Sequence, residues 1–258
     1  MTGPDSDLAL ITEAAREAGT LARTYAEHGV KVTTKSDGTP VTEADQAVDA
    51  FLRARLMAAR PAYGWLSEES PDDGSRTRCD RVFVVDPIDG TRAFVRGTAW
   101  WTISIGVVSA GQAKTGVVYA PVLGELYSAE RGRGATRNGL ALQGSKREDL
   151  AGAAILGDPD RLKPPHWPVM TIVQRNSIAL RIVQAAAGDF DAVIAFGTKR
   201  DWDIAAGLVI AEEAGLQVTD HQGSAIQLNS PETRCKSLIG APSRLHRLIL
   251  TKTQPIDR

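Results

Sequence analysis

Asp86-Pro87-Ile88-Asp89-Gly90-Thr91 brings two carboxylates, a turn and a hydroxyl into one short stretch. It follows Val82-Phe83-Val84-Val85, four bulky β-formers with no polar break, which predicts a buried strand. That strand ends on a carboxylate, breaks at proline and offers a second carboxylate three residues later, where Gly90 and Thr91 open a short helical segment. Acids beside free backbone N–H groups suit a divalent metal and a phosphate bound together.

Three more acids sit at the ends of expected elements. Asp45 lies in the first turn of a helix, Glu68 ends a short strand, and Asp203 opens a late helix within Lys199-Arg200-Asp201-Trp202-Asp203-Ile204-Ala205-Ala206-Gly207. Side chains at element ends can point into a cleft from a rigid base. Mg²⁺ takes oxygen ligands and keeps several waters, so two or three carboxylates per ion suffice. A pair of such ions can hold a phosphate ester, turn a bound water into hydroxide and stabilise the leaving oxygen. Thr91 could orient that water, and Asp45 could accept its proton or polarise Thr91. Singly, each acid has a plainer reading as a helix cap, a turn residue or solvated surface. His28, His166, His221 and His246 share no spacing, which argues against histidine ligation. Arg131-Gly132-Arg133-Gly134 reads most simply as an exposed hairpin connection.

The elements that must position these groups follow from periodicity. Leu8, Ile11, Ala15, Ala18 and Ala22 recur at helical spacing behind a Ser6 or Asp7 cap, and that helix fades near Gly29. A polar loop from Lys35 to Pro40 precedes Thr42-Glu43-Ala44-Asp45, which resembles a capping box. Val48, Phe51, Leu52, Leu56 and Ala59 give a second amphipathic helix, ended by Pro61. Residues 101–109 and 113–120 form a hairpin through Ala110-Gly111-Gln112, and Asn138-Gly139 marks a tight turn. The middle stretch therefore reads as an antiparallel sheet. Beyond it, apolar runs at 154–156, 169–173, 192–196 and 237–240 alternate with helical stretches at 177–187, 202–214 and 242–250, an α/β pattern. The expected division is an α+β half, residues 1–146, carrying most metal ligands, and an α/β half, residues 147–258, contributing Asp203 and substrate contacts.

The 258 residues are 43% hydrophobic and 24% charged with a net charge of −1, the profile of an ordinary globular chain. Neither a basic excess nor a run of about 18 apolar residues is present, so binding to a nucleic-acid polymer or a membrane is not expected. Cys79 and Cys235 are too few for a disulfide framework and read as free thiols. No basic, apolar leader is visible at the N-terminus, so a cytoplasmic location is expected.

Taken together, Lys35-Ser36-Asp37-Gly38-Thr39-Pro40-Val41-Thr42-Glu43-Ala44-Asp45, Ser67-Glu68-Glu69-Ser70, the Asp86–Thr91 segment and Trp202–Gly207 occur in the order seen in the inositol monophosphatase superfamily. The resemblance covers nearly the whole chain. It implies a layered αβαβα sandwich of the inositol monophosphatase/fructose-bisphosphatase type, a homodimer, sensitivity to lithium and two or three Mg²⁺ ions. Glu68, Asp86 and the carbonyl of Ile88 would ligate the first ion, Asp86, Asp89 and Asp203 the second, and a third would lean on Glu68. Thr91 with Asp45 would activate the water, and the Gly90 and Thr91 amides would hold phosphate.

The expected activity is therefore Mg²⁺-dependent hydrolysis of a small phosphorylated metabolite. Arg92-Ala93-Phe94 after the central motif, Phe196 where inositol monophosphatases tend to carry an acid, and Asp201 before Trp202 resemble the CysQ-type 3'(2'),5'-bisphosphate nucleotidase branch. That branch converts 3'-phosphoadenosine 5'-phosphate to AMP and phosphate. Inositol-1-monophosphatase and then histidinol phosphatase are the alternatives within the superfamily. Asp89, Lys199, Arg200 and Asp201 are the expected substrate contacts. Two readings belong to other functional classes, the second of them keeping the fold. A covalent aspartyl-phosphate enzyme needs Asp-x-Asp-x-Thr, and here one extra residue separates the acids. A non-catalytic phosphate-binding regulator would be expected to lack a ligand, yet every acid is present.

Overall fold

The structure is a computed structural model that describes residues 6–34 and 38–253. Residues 35–37, the start of the expected loop and of the first motif, lie outside the described residues. Helix α1 (Asp7–His28) starts on Ser6, whose Oγ accepts from the Ala9 N–H at 3.1 Å, and ends at Gly29. A small hairpin, β1 (Val32–Thr34) with β2 (Pro40–Thr42), leads into α2 (Glu43–Ala59). The capping box is present: Thr42 Oγ1 accepts from the Ala44 and Asp45 N–H groups, and Asp45 Oδ2 accepts from the Thr42 N–H at 2.7 Å.

The first large sheet contains β3 (Gly64–Ser67), β4 (Val82–Asp89), then, after the short α3 (Thr91–Val95), β5 (Thr102–Ser109), β6 (Gln112–Ala120), β7 (Glu125–Glu130), β8 (Ala135–Arg137) and β9 (Leu140–Ala141). The strands lie in sequence order and are antiparallel except for the parallel pair β3–β4. Ala110 (φ 50°) and Gly111 (φ 73°) close the β5–β6 hairpin, and Asn138 (φ 52°) and Gly139 (φ 82°) close β8–β9. Left-handed residues at both central positions match the twist of paired strands.

The second sheet contains β10 (Ala154–Leu156), β11 (Thr171–Val173), β12 (Ala192–Arg200), β13 (Gln217–Thr219) and β14 (Arg234–Ala241), in the order β11-β10-β12-β14-β13. Helices α4 (Ile178–Ala186), α5 (Asp201–Glu213) and α6 (Ser243–Thr253) alternate with them. The parallel pairing expected of an α/β half holds for β11, β10 and β12. The chain then returns antiparallel through β14 to β13, and β13 was not among the expected strands.

Alternation along the strands builds the layers. Phe83 and Val85 of β4 join the core cluster of α1 and α2, whereas Val82 and Val84 join the cluster of α4 and α5. Leu156, Val193 and Leu238 of the second sheet close on that same middle layer, and Ile155, Ile194 and Ile239 pack with α6 through Leu245 and Ile249. The result is the expected αβαβα sandwich, with α4 and α5 held between two sheets. Among the described residues, no helix is long and apolar enough to cross a membrane.

Helix α5 lies very close to β5 and β6 because glycines face it. A Cβ at Gly116 would meet Ala206 O at 2.6 Å and Val209 Cγ1 at 2.7 Å. Gly116→Ala is therefore expected to lower stability by about 1–3 kcal/mol through overpacking. Urea unfolding measures this, and an unchanged midpoint would mean that the helix has room to shift.

Candidate active site

A bulge in β4 decides how its two acids face. Across from β5, Asp86 pairs with Ser104 and Asp89 with Thr102, so the bulged strand carries one extra residue. In a regular strand, residues three apart point to opposite faces; one inserted residue restores them to the same face. Asp86 and Asp89 accordingly line one cleft of about 200 Å³, with Thr39, Pro40, Glu68, Gly90, Thr91, Arg92, Asn176 and Asp203.

Carboxylate oxygens of Glu68, Asp86 and Asp203 lie within 4.8 Å of one another. Asp86 is 1% exposed; its Oδ1 accepts from the Ile88 N–H at 3.1 Å, and its Oδ2 is buried with no hydrogen-bond partner. Asp203 Oδ2 accepts from the Arg200 N–H at 2.8 Å. Burial, followed by the charges of Glu68, Asp89, Asp203 and Asp45, raises the Asp86 pKa well above the ordinary carboxylate value. Burial, then the charge of Asp89, pushes Asp203 up to about 7. Desolvation and like charge both oppose ionisation here. A hard divalent cation reverses both effects, and an all-oxygen donor set with an orphaned buried oxygen fits Mg²⁺.

Asp89 stands in the same cleft but also serves α4. Its Oδ2 accepts from Ser177 Oγ and the Ala179 N–H, both at 2.6 Å, and Oδ1 accepts from the Ile178 N–H at 3.3 Å. Burial still raises its pKa to about 6 against those bonds. Glu68 is steadied differently. Its neighbours Ser67 and Ser70 donate their hydroxyls to the two oxygens of Asp49, each at 2.5 Å. Asp49 and Ser177, which support the site, and Asn176, which lines it, carry no mark of that role in the sequence reading. Ser67 and Ser70 bracketing two glutamates gave a signal, but their acceptor lies 18 and 21 residues away.

Thr91 Oγ1 lies 3.2 Å from both Asp45 Oδ1 and the Ile88 carbonyl. Asp45 is 2% exposed, and its other oxygen accepts from the Thr42 amide and hydroxyl. Burial raises the Asp45 pKa despite these bonds. Thr91 is thus oriented with its proton toward acceptors, which leaves oxygen lone pairs to receive a hydrogen bond from the cleft.

The expected substrate contacts Lys199, Arg200 and Asp201 do not line this cleft. Lys199 Nζ turns back to the carbonyls of Phe196, Gly197 and Thr198 at 3.0–3.4 Å. The Arg200 guanidinium stands over Trp202, 5.6 Å from the ring centre. Asp201 is 1% exposed and accepts from the Asn229 N–H at 2.6 Å. The reason is helical geometry: residues two apart do not share a face, so Asp203 toward the cleft turns Asp201 away. Phe196 packs toward Trp167, with ring centres 6.4 Å apart, rather than offering a platform in the cleft. Arg131-Gly132-Arg133-Gly134 is the β7–β8 connection, and its Gly132 and Gly134 amides hold the Glu213 carboxylate, each at 2.8 Å.

Acids from strand ends and a helix start thus face one gap in which a divalent cation could be held. Residues 4–258 match the model of the Inositol monophosphatase family, and the chain belongs to that family. It is 34% identical over 262 residues to the Nus factor SuhB of Pasteurella multocida, covering 96% of each chain. It is 33% identical to the inositol-1-monophosphatase of Rhizobium meliloti, covering 88% of this chain and 90% of the relative. An IMPase structure from Thermotoga maritima superposes with a TM-score of 0.83 at 28% identity, covering 95% of this chain and 96% of that one.

A carboxyl with a raised folded pKa binds its proton more tightly when folded. The stability it contributes is fully present below the unfolded pKa and is lost as pH rises through the folded one. Without divalent metal, Asp89 and Asp203 should therefore cost stability as pH climbs from about 4 toward 7. The expected outcome is a melting temperature in EDTA that falls over this range, less steeply in Asp203→Asn, with Mg²⁺ restoring it most at the alkaline end. A wild-type slope that Asp203→Asn leaves unaltered would contradict the assignment.

Proposed function

We propose that this chain is a Mg²⁺-dependent phosphomonoesterase whose substrate is an inositol monophosphate. The observation that carries the reading is the orphaned Asp86 oxygen among clustered acids, next to the Thr91–Asp45 pair. Glu68, Asp86, Asp89, Asp203 and the Ile88 carbonyl would hold two or three ions. Bound there, Mg²⁺ supplies charge for the phosphate oxygens and lowers the pKa of water. As the water attacks, its proton would pass to Thr91 Oγ1 while the Thr91 hydroxyl proton passes to Asp45 Oδ1, 3.2 Å away. The Gly90 and Thr91 amides, at the start of α3, hold the phosphate. A homodimer and inhibition by Li⁺ belong to the same proposal.

The name carried by the Rhizobium relative supports inositol phosphate as the first substrate to test. The nucleotidase reading loses two of its supports, because Phe196 and Asp201 face elsewhere. It keeps one: Arg92 lines the cleft and offers a cation to a second anionic group.

A phosphate-release panel over inositol 1-phosphate, 3'-phosphoadenosine 5'-phosphate and histidinol phosphate, with and without Mg²⁺, separates these readings. Fastest Mg²⁺-dependent turnover of inositol phosphate is expected, and preference for the bisphosphate would restore the nucleotidase. No release from any of them in clean protein would favour a phosphate-binding regulator. Asp86→Asn should lower kcat/KM more than about a hundredfold, since partners one shell further out already cost 10–100-fold. Thr91→Ala should lower kcat by about a hundredfold while the half-saturating Mg²⁺ concentration stays put, and a pure shift in that concentration would reassign Thr91 to metal binding.

A further inference from the structure

Arg76 lies in a 3₁₀ turn, Ser75–Arg78, and is 1% exposed. A side chain so long and charged is rarely buried this fully without a dedicated set of acceptors. Its Nε donates to Asp72 Oδ2 at 3.0 Å, Nη1 to Asn229 Oδ1 at 2.5 Å and to the Asn229 carbonyl at 3.2 Å, and Nη2 to the Ser230 carbonyl at 3.0 Å. Most of these acceptors are more than 150 residues away along the chain.

Both ends of this clasp lead to acids of the cleft. On one side, Arg76 sits on the first residue of β3: a Cβ at Gly64 would lie 2.9 Å from the Arg76 Cα. Strand β3 delivers Glu68 one residue past its end. On the other side, the Asn229 N–H donates to Asp201 Oδ2 at 2.6 Å, and the Asp201 N–H donates to the Thr233 carbonyl at 3.0 Å. Asn229 and Thr233 both stand at positive φ, 59° and 50°; asparagine tolerates this conformation, whereas a β-branched threonine adopts it rarely. Asp201 is the first residue of α5, and Asp203 follows within the same turn.

We propose that Arg76 is a positioning residue for the acid cage, fixing Glu68 relative to Asp203 by tying the β3 side of the cleft to the 229–233 turn that anchors α5. The proposal rests on the reading that these acids hold a divalent cation. Arg76 touches neither metal nor substrate; its effect is on the span that the cation must bridge. Loss of the guanidinium frees the Asn229 turn, lets the first turn of α5 relax and loosens the fit between carboxylates contributed by two distant parts of the chain.

The test is Mn²⁺ binding by isothermal titration calorimetry without substrate, on wild type, Arg76→Met, Asn229→Ala, these two combined, Asp86→Asn and Leu245→Ala. Leu245 is a buried core residue of α6, so its truncation lowers stability away from the cleft. Arg76→Met and Asn229→Ala should each weaken Mn²⁺ binding by about tenfold or more, the size seen when groups behind metal ligands are removed. The double variant should weaken it little more than either single one. Leu245→Ala should lower the melting temperature and leave the affinity alone. If Arg76→Met does not fold, Asn229→Ala and Arg76→Lys carry the same comparison. Wild-type affinity in a folded Arg76→Met, or an equal loss in Leu245→Ala, would reduce Arg76 to a fold-stabilising role. Wild-type protein that binds no Mn²⁺ sensitive to Asp86→Asn would instead overturn the cage itself, and the proposal with it.

Discussion

Carboxylates from β3, β4 and α5 converge within a few ångströms in a largely buried cleft, where burial and mutual repulsion both resist ionisation. A chain folds into such a crowd only if each acid is anchored by something other than its neighbours. The anchors are local and mostly consume one oxygen each. Asp86 gives one oxygen to the Ile88 amide, Asp203 gives one to the Arg200 amide, and Asp45 gives one to Thr42. The remaining oxygens of Asp86 and Asp203 stay available for a cation, and that of Asp45 faces Thr91. Asp89 differs, because α4 claims both its oxygens; it couples the cage to the middle helical layer.

The sandwich supplies the rigidity this needs. Helices α4 and α5 lie between two sheets and share one core with both, so the helix ends that meet the cleft cannot drift independently. Close approach at Gly106 and Gly116 seats α5, and thereby Asp203, against the first sheet. Fold and site are linked through the same contacts: what packs the middle layer also sets the distances between acids.

Much of this was legible in the sequence. The capping box at Thr42, the hairpin at Ala110-Gly111 and the tight turn at Asn138-Gly139 are local, and local chemistry fixes them. The acids that form the cage were each marked by position at an element end. Direction was less legible than position. That Lys199, Arg200 and Asp201 precede Asp203 says nothing about which way they point, and the end of β12 and the first turn of α5 turn them away from the cleft. Supports such as Asp49 and Arg76 were hidden because most of their partners are 18 to 154 residues distant, and an isolated acid or arginine carries no sign of such a partner. The β4 bulge was likewise hidden: a proline announces a break, but only the pairing with β5 shows that both acids end on one face.

Carboxylate oxygens of Glu68, Asp86 and Asp203 lie close enough together to bound a shared cation. Anomalous diffraction from crystals soaked in Mn²⁺ tests that sharing without reference to any substrate. The expectation is a strong peak bounded by oxygens of these three residues, with Asp86 Oδ2 as a direct ligand. Saturating Mn²⁺ that leaves this position empty, or binds only at some other part of the surface, would contradict it.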